Sequence, residues 1–416
     1  ANFFPAVVEA SKRKLPLILL TADRPPELRK TGADQTIDQP GIFGEYVRWQ
    51  VDLPCPDEHI KPSFVLTTID QAVYRSKHPV AGPVHLNCMF REPLAPLKTK
   101  DIGSDYGKDL QGWRNRRGAY TRYLPPLKST LKPQLQEIAD TLNKMKQAIG
   151  IVGKLFADQE RAAALKLFQK LNWPVFADIT SGLRLGSSDQ NVIPYFDRIL
   201  SSEKVAARFP FDGVLHLGGR ITSKRWYQWV EKRRPYPYVL VLNHPLRHDP
   251  LHSVSLRVET DIAQFCQVVL PFLKTRPSGQ RFLRFQKVSS AVDRALDEFD
   301  KRRPSLSEPM AARWISRHIP EGSGLFLANS MPVRDMDMYA DPKGKSVVVQ
   351  AHRGASGIDG TIAAAAGFAV GLKKPVTLLM GDLAFLHDLN SLAMLSKVPR
   401  PVVIVVFNNN GGAIFS

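Results

Sequence analysis

Cysteine is scarce: the chain has three, Cys55, Cys88 and Cys266, widely separated among 416 residues. That spacing excludes a disulfide framework and a CxxC metal site and points to a reducing compartment. No uninterrupted apolar run reaches the roughly 18 residues of a membrane-spanning helix, so no membrane span is expected. The longest apolar runs, such as Pro401 to Phe407, are strand-length. No targeting segment precedes the first folded pattern, because Asn2 to Ala10 already reads as the end of a helix. The sequence stops at Ser416, just after a Gly-Gly turn, and so reads as a fragment cut at both ends. Short-period repeats are absent. Interleaved aromatics are also missing from the basic clusters Arg114-Asn115-Arg116-Arg117 and Lys232-Arg233-Arg234. The net charge of +18 therefore does not imply a nucleic-acid partner. Anionic small substrates and a solvated basic surface account for it.

One metal-like pattern fails on its own chemistry. His244, His248 and His252 have the spacing of ligands on one helix face. Pro245 and Pro250 fall inside the stretch and would break such a helix, so no zinc site is expected. His85, His352 and His387 read as structural or solvated.

What is present is a succession of buried strands. A hydrophobic fraction of 44% in 416 residues supports more than one core. Apolar runs of strand length occur at 15–21, 83–87, 148–152, 174–177, 213–217, 238–242, 325–328, 346–349, 376–380 and 402–407. Continuous Val/Ile/Leu runs are typical of parallel strands covered on both faces. Helical patterns lie between them, as at Asp158 to Leu171 and Thr361 to Leu372. The alternation predicts an α/β fold of mostly parallel sheets flanked by helices. Residues 96–134, rich in Pro, Lys, Gly and Arg, read as a linker. Residues 274–306, densely charged with a possible helix at Val288 to Phe299, read as a connector. Three α/β units are then expected: 1–95, 135–273 and 307–416.

The strongest chemical signal lies in the last unit. The strand Val376 to Met380 ends in Gly381-Asp382, and the strand Val402 to Phe407 ends in Asn408-Asn409-Asn410-Gly411-Gly412. Ligands of open parallel sheets bind at strand C-termini. Adjacent parallel strands would bring Asp382 and Asn409 together although they are 27 residues apart. A hard divalent cation suits this set, because Mg²⁺ takes oxygen ligands and shares them with phosphates. Asp382 would give a carboxylate, Asn409 an amide oxygen and Gly411 a backbone carbonyl. The plain alternative is two polar turns.

Here the chain resembles the thiamine-diphosphate (ThDP) enzymes, whose signature pairs GDG with a downstream NN at this spacing. Leu383 stands where the second glycine is usual, and one branch, the MenD family of SEPHCHC synthases, is similar at that position. The same branch is suggested by Thr21-Ala22-Asp23-Arg24-Pro25-Pro26-Glu27-Leu28, Gly82 to Asn87, Asn329 to Arg334 and Arg353 to Gly360. Arg91 to Leu94, Ile221 to Arg225 and His248-Asp249-Pro250 look closest to the MenD module of PHYLLO, the plant and algal phylloquinone-pathway fusion protein.

The resemblance implies a three-domain ThDP-enzyme fold, with 1–95 pyrimidine-binding and 307–416 diphosphate-binding. It implies ThDP with Mg²⁺ or Mn²⁺ as cofactors. It implies decarboxylation of 2-oxoglutarate and 1,4-addition to isochorismate, giving SEPHCHC in menaquinone or phylloquinone biosynthesis. Both substrates are dicarboxylates and call for several cations, arginine above all. The matched positions offer Arg24, Gln35, Lys224, Arg225, Asn329, Ser330, Arg334, Arg353 and Phe415 toward substrate. Gly381, Asp382, Leu383, Asn409, Gly411, Ile414 and Ile358 fall to the cofactor, Ile358 as the residue that props its bent shape. Asp34 stands where the family usually has Asn, and an anion there would repel a carboxylate. The family's cofactor-activating Glu is expected upstream of Ala1, so no catalytic residue is assigned here and the fragment alone is expected to be inactive. Glu9 and Glu27 do not fit its context. A homodimer or homotetramer is implied, and the plastid stroma, with the bacterial cytoplasm as the alternative. Two other readings compete. One is a non-catalytic α/β binding module. The other is a different ThDP decarboxylase, related to acetolactate synthase, against which the arginine set argues.

Overall fold

The structure, a computed structural model, describes residues 2–92, 110–116, 118–124, 132–277, 280–302 and 306–412. They fall into two compact units: Ala1–Leu127 with Arg353–Ser356, and Lys128–His352 with Gly357–Ser416. Phe415 and Ile414 lie outside the described residues, as does much of the expected linker.

The first unit holds a three-stranded parallel sheet of β1 (Leu17–Asp23), β2 (Trp49–Leu53) and β3 (Pro83–Met89), in the order β1-β3-β2. The central β3 is the most deeply buried of the three. At the strand ends the Arg29 guanidinium bridges Asp23 (2.8 Å) and Asp52 (2.7 Å). The buried Asn87 amide donates to both carboxylates at 2.8 Å. Its oxygen accepts from Thr21 Oγ1 and Gln39 Nε2. The buried Asn87 side chain is thus fully partnered, as burial of a polar group requires.

The second unit holds two parallel sheets. A five-stranded sheet consists of β4 (Ile149–Val152), β5 (Val175–Ala177), β6 (Val214–Leu217), β7 (Tyr238–Leu242) and β8 (Leu256–Glu259), in the order β5-β4-β6-β7-β8. A four-stranded sheet consists of β9 (Gly324–Leu327), β10 (Val348–Ala351), β11 (Val376–Gly381) and β12 (Val402–Phe407), in the order β10-β9-β11-β12. The expected fold class, parallel sheets flanked by helices, is what forms.

Each face of the four-stranded sheet has its own core, because alternate side chains point opposite ways. Leu325 and Leu327 pack with Ala312, Ile315, Val333 and Met336 of the helices Glu308–His318 and Met331–Tyr339. Phe326 and Ala328 pack on the other side with Ile362, Ala365 and Ala369 of the helix Thr361–Leu372. Fully burying one such Leu or Ile stabilises by about 1.5–3 kcal/mol.

Two strands escaped the sequence reading. Trp49–Leu53 alternates half-buried and exposed residues and edges its sheet. Leu256–Glu259 is a short edge with a single buried residue. Neither has the continuous apolar run that marked the others. The expected connector is largely one packed helix, Gln280–Arg302, which starts earlier than the sequence suggested. It buries Phe285 against Phe209, ring centroids 3.9 Å apart, and beside Phe176. Its Asp293 and Asp297 each bind the buried Arg313 guanidinium at 2.6 Å. Among the described residues no helix is long and apolar enough to cross a membrane.

Candidate functional site

The strand order of the four-stranded sheet fixes where a ligand can lie. From β9 the chain runs through a helix to β10 on one side, then crosses through a second helix to β11 on the other. The order therefore reverses between β9 and β11. In open α/β sheets the crevice outside the carboxyl ends of the strands at such a switch point is the ligand site.

The segments beyond β9 and β11 are polar. After β9 come Asn329, buried at 3% exposure, and Ser330, with φ 70° and ψ −130°. A non-glycine residue there is strained, and such strain concentrates at functional positions. Ser330 is the N-cap residue of the helix Met331–Tyr339, and the N–H groups of a helix N-terminus favour anions. Arg334 stands exposed in that helix's first turn. The Asn329 amide donates to the Gly357 carbonyl at 2.6 Å, which pins the turn leading into half-buried Ile358. That turn ends at the helix Thr361–Leu372, where Asp388 accepts from the Ile362 and Ala363 N–H groups and so closes this helix N-terminus.

After β11, Gly381 leads directly into Asp382, the first residue of the helix Asp382–His387. Gly381 pairs with Phe407, the last residue of β12, so the two polar turns are neighbours as expected. Asp382 Oδ1 accepts from Leu383 N at 2.7 Å and Oδ2 from Gly411 N at 3.0 Å. Gly411 has φ +117°, which only glycine adopts without strain. Asn410 is left-handed (φ 63°), and its N–H donates to Asn408 Oδ1 at 3.1 Å, an Asx turn that reverses the chain. Asn409 Nδ2 donates to Glu308 Oε1 at 2.9 Å. Leu383 lies against Gly412, whose Cβ, if it had one, would stand 3.1 Å from Leu383 Cδ1.

The Asp382 carboxylate is thus tied to the turn that carries the Asn409 amide and the Gly411 carbonyl. Each Asp382 oxygen carries one hydrogen bond in these contacts and keeps lone-pair capacity. Nothing stands within 4 Å of where a Cβ would sit at Gly381 or Gly411, so the backbone is open to a close ligand. This set fits a hard divalent cation shared with a diphosphate. Among the described residues no three His, Cys, Asp or Glu side chains form a cluster that could hold a metal by themselves.

The remaining expected residues lie elsewhere. Arg24 and Gln35 are together in the first unit, with Arg24 Nη2 3.4 Å from Gln35 Oε1 and Gln35 at φ 59°. Arg353 belongs to that unit as well. The next two residues, Gly354 and Ala355, donate their N–H groups to the Glu9 carboxylate at 2.9 and 2.7 Å. Lys224 opens the helix Lys224–Arg233 and is exposed. Arg225 is paired with the buried Asp197 at 2.6 Å. His85, buried, meets Thr21 Oγ1 at 2.7 Å, and burial lowers its pKa.

Glu308 and Asp388 were missed in the sequence. Ser307-Glu308-Pro309 signals a helix start and nothing more. The partner of Glu308 is 101 residues away, beyond any local pattern.

Two family models for thiamine-pyrophosphate enzymes match the chain: a middle domain over residues 104–327 and a C-terminal TPP-binding domain over 338–415. With the switch-point site, they define a ThDP-dependent enzyme. A 2-succinyl-5-enolpyruvyl-6-hydroxy-3-cyclohexene-1-carboxylate (SEPHCHC) synthase of Rubrobacter xylanophilus is 46% identical over the whole chain, which covers 71% of that relative. The Salinibacter ruber synthase is 41% identical with 70% covered. Protein PHYLLO, chloroplastic, of Arabidopsis thaliana is 38% identical, with 26% of it covered. The chain belongs to the SEPHCHC synthase family of ThDP-dependent transferases.

Proposed function

We propose that this chain holds ThDP diphosphate and a divalent cation, Mg²⁺ or Mn²⁺, at the strand ends of its four-stranded sheet. In the intact protein this would serve decarboxylation of 2-oxoglutarate and 1,4-addition of the remaining four-carbon unit to isochorismate. The observation that carries the reading is the meeting of Asp382 with the 408–411 turn beside the β9/β11 switch point. Bound ThDP supplies the electron sink for decarboxylation, and the protein supplies orientation and electrostatics.

The residues divide the work. Asp382, the Asn409 amide oxygen and the Gly411 carbonyl hold the cation, and Gly381 and Leu383 flank it. Ile358, fixed through the Asn329–Gly357 bond, props the cofactor. Ser330 and the first turn of its helix receive a substrate carboxylate, with Arg334 as the charged partner. Lys224 in the second unit and, separately, Arg24, Gln35 and Arg353 in the first are polar groups suited to a substrate carboxylate. Arg225 joins them only if it shares its charge with Asp197. Ile414 and Phe415 remain candidates for the cofactor and substrate pocket.

A homodimer or homotetramer is supported by exposed apolar side chains on the elements flanking the four-stranded sheet, including Val370, Leu386, Leu389 and Met394. Sedimentation of the intact protein as a monomer would refute it. For the compartment we propose the plastid stroma, with the bacterial cytoplasm as alternative. Support is divided between the chloroplastic relative and the more similar bacterial ones.

The test of the reaction is an assay of the intact protein. CO₂ release from 2-oxoglutarate and loss of isochorismate should both require ThDP and Mg²⁺ or Mn²⁺, and EDTA should stop them. Equal turnover of pyruvate would refute the dicarboxylate reading. Arg334→Ala should lower kcat/KM for at least one dicarboxylate by about 10- to 30-fold, roughly 2 kcal/mol for one exposed charge-assisted pair. Unchanged kcat/KM for both substrates removes Arg334 from the site.

A further inference from the structure

The Asn409 carboxamide has one acceptor oxygen and one donor nitrogen, and a half-turn about its last torsion exchanges them. To serve a cation the oxygen must face the site. A free side chain on an exposed turn would spend much of its time the wrong way round. Glu308 removes that freedom. Its Oε1 accepts from Asn409 Nδ2 at 2.9 Å, across 101 residues of sequence, and a carboxylate can only accept. The nitrogen is therefore committed to Glu308, and the oxygen is the atom left for a ligand.

Glu308 is itself well placed to do this. It is the first residue of the helix Glu308–His318, where the helix dipole favours a negative charge, and Pro309 fixes the helix start. The helix is anchored through buried Arg313, bound to Asp293 and Asp297, and through Ala312 and Ile315 in the core. The carboxylate that holds Asn409 thus stands on an anchored helix, and the 408–411 turn is held against it. Asp382 holds that turn at Gly411, and Glu308 holds it at Asn409.

We propose that Glu308 is a positioning residue for the metal site: it orients the Asn409 carboxamide so that its oxygen faces the cation. The inference rests on the proposed cation reading of Asp382, Asn409 and Gly411.

The test is a Mn²⁺ titration of the intact ThDP-loaded protein, followed by loss of the free-ion electron paramagnetic resonance signal. Outer-shell partners of metal ligands are typically worth 10- to 100-fold in metal affinity. Glu308→Ala should weaken Mn²⁺ binding by about tenfold. Glu308→Gln should bind within about threefold of wild type, because the Gln carbonyl accepts the same bond. Glu308→Asp keeps the charge at the helix start but is one methylene too short. It should fold and still bind Mn²⁺ several-fold more weakly than the Gln variant. A charge or capping role alone gives the opposite order, with Asp near wild type and Gln impaired, and that order would overturn the proposal even if the Ala variant did not fold. Asp382→Ala is the control. If it loses Mn²⁺ while all three Glu308 variants bind as wild type, the Glu308 role fails and the cation reading stands. If Asp382→Ala also binds as wild type, the cation reading itself fails.

Discussion

Replacing Asp382 by alanine should lower kcat/KM by about 10³-fold or more and raise the metal demand of whatever activity remains. The size comes from the role. A metal centre contributes several kcal/mol of charge stabilisation and positioning, and about 4 kcal/mol corresponds to a thousandfold. Asp382 is the only carboxylate in the proposed donor set, so its loss leaves neutral oxygens to hold a dication. It also removes the acceptor of the Gly411 N–H, which keeps the Asn410-Gly411 turn against β11. The side chain is not part of the hydrophobic core of either sheet face, so the fold should survive. Asp382→Asn separates the two effects. Its amide oxygen can still accept one of the two backbone N–H groups but carries no charge. Activity partly recovered by high Mg²⁺ in the Asn variant, and not in the Ala variant, is the expected pattern. Wild-type activity of Asp382→Ala without raised metal demand would refute the assignment.

This site was legible in the sequence to an unequal degree. Gly381-Asp382 and the Asn408–Gly412 turn could be read because each comes after a continuous apolar strand, β11 or β12, and such strands announce themselves. Their adjacency depends on β11 and β12 being neighbours, which the Gly381–Phe407 pairing establishes. The reversal of strand order between β9 and β11 is a property of the whole sheet, and no window of sequence contains it. It explains why Asn329 and Ser330, after β9, lie at the same end of the sheet as Asp382. β2 and β8 were invisible for a related reason: an edge strand half open to water does not need an apolar run. Arg225 shows what a motif leaves out. As a motif residue it reads as a substrate cation, and in the fold its guanidinium also pairs with the buried Asp197, a partner 28 residues earlier that no local pattern contains.

Asp335 should contribute a loss of stability as pH rises toward 7, and Asp335→Asn should remove that contribution. Asp335 lies on the helix beyond Ser330 and is 1% exposed. Neither carboxyl oxygen has a hydrogen-bond partner among the described residues. Burial pushes its pKa up to about 7, the charge of Glu308 adds to the rise, and Arg334 opposes it. An unfolded aspartate titrates near pH 3.9. Between these values the folded chain holds a proton that the unfolded chain has released, so stability falls as pH rises. The contribution is complete below about pH 4 and lost once pH passes about 7. A shift of about three units corresponds to roughly 4 kcal/mol at most, at 1.36 kcal/mol per unit. Asparagine resembles the neutral acid in shape and does not titrate. Across pH 4.5 to 8, the difference in stability between variant and wild type should therefore move toward the variant by about 3–4 kcal/mol. Thermal unfolding at a series of pH values measures it, and parallel profiles would show that Asp335 is ionised without cost. Glu308 supplies a second check. Glu308→Gln removes the charge that adds to the rise, so the Asp335-dependent part of the profile should shift to lower pH in that variant. The same substitution keeps an acceptor for Asn409, so the pH effect and the metal effect of Glu308 are separable in one protein.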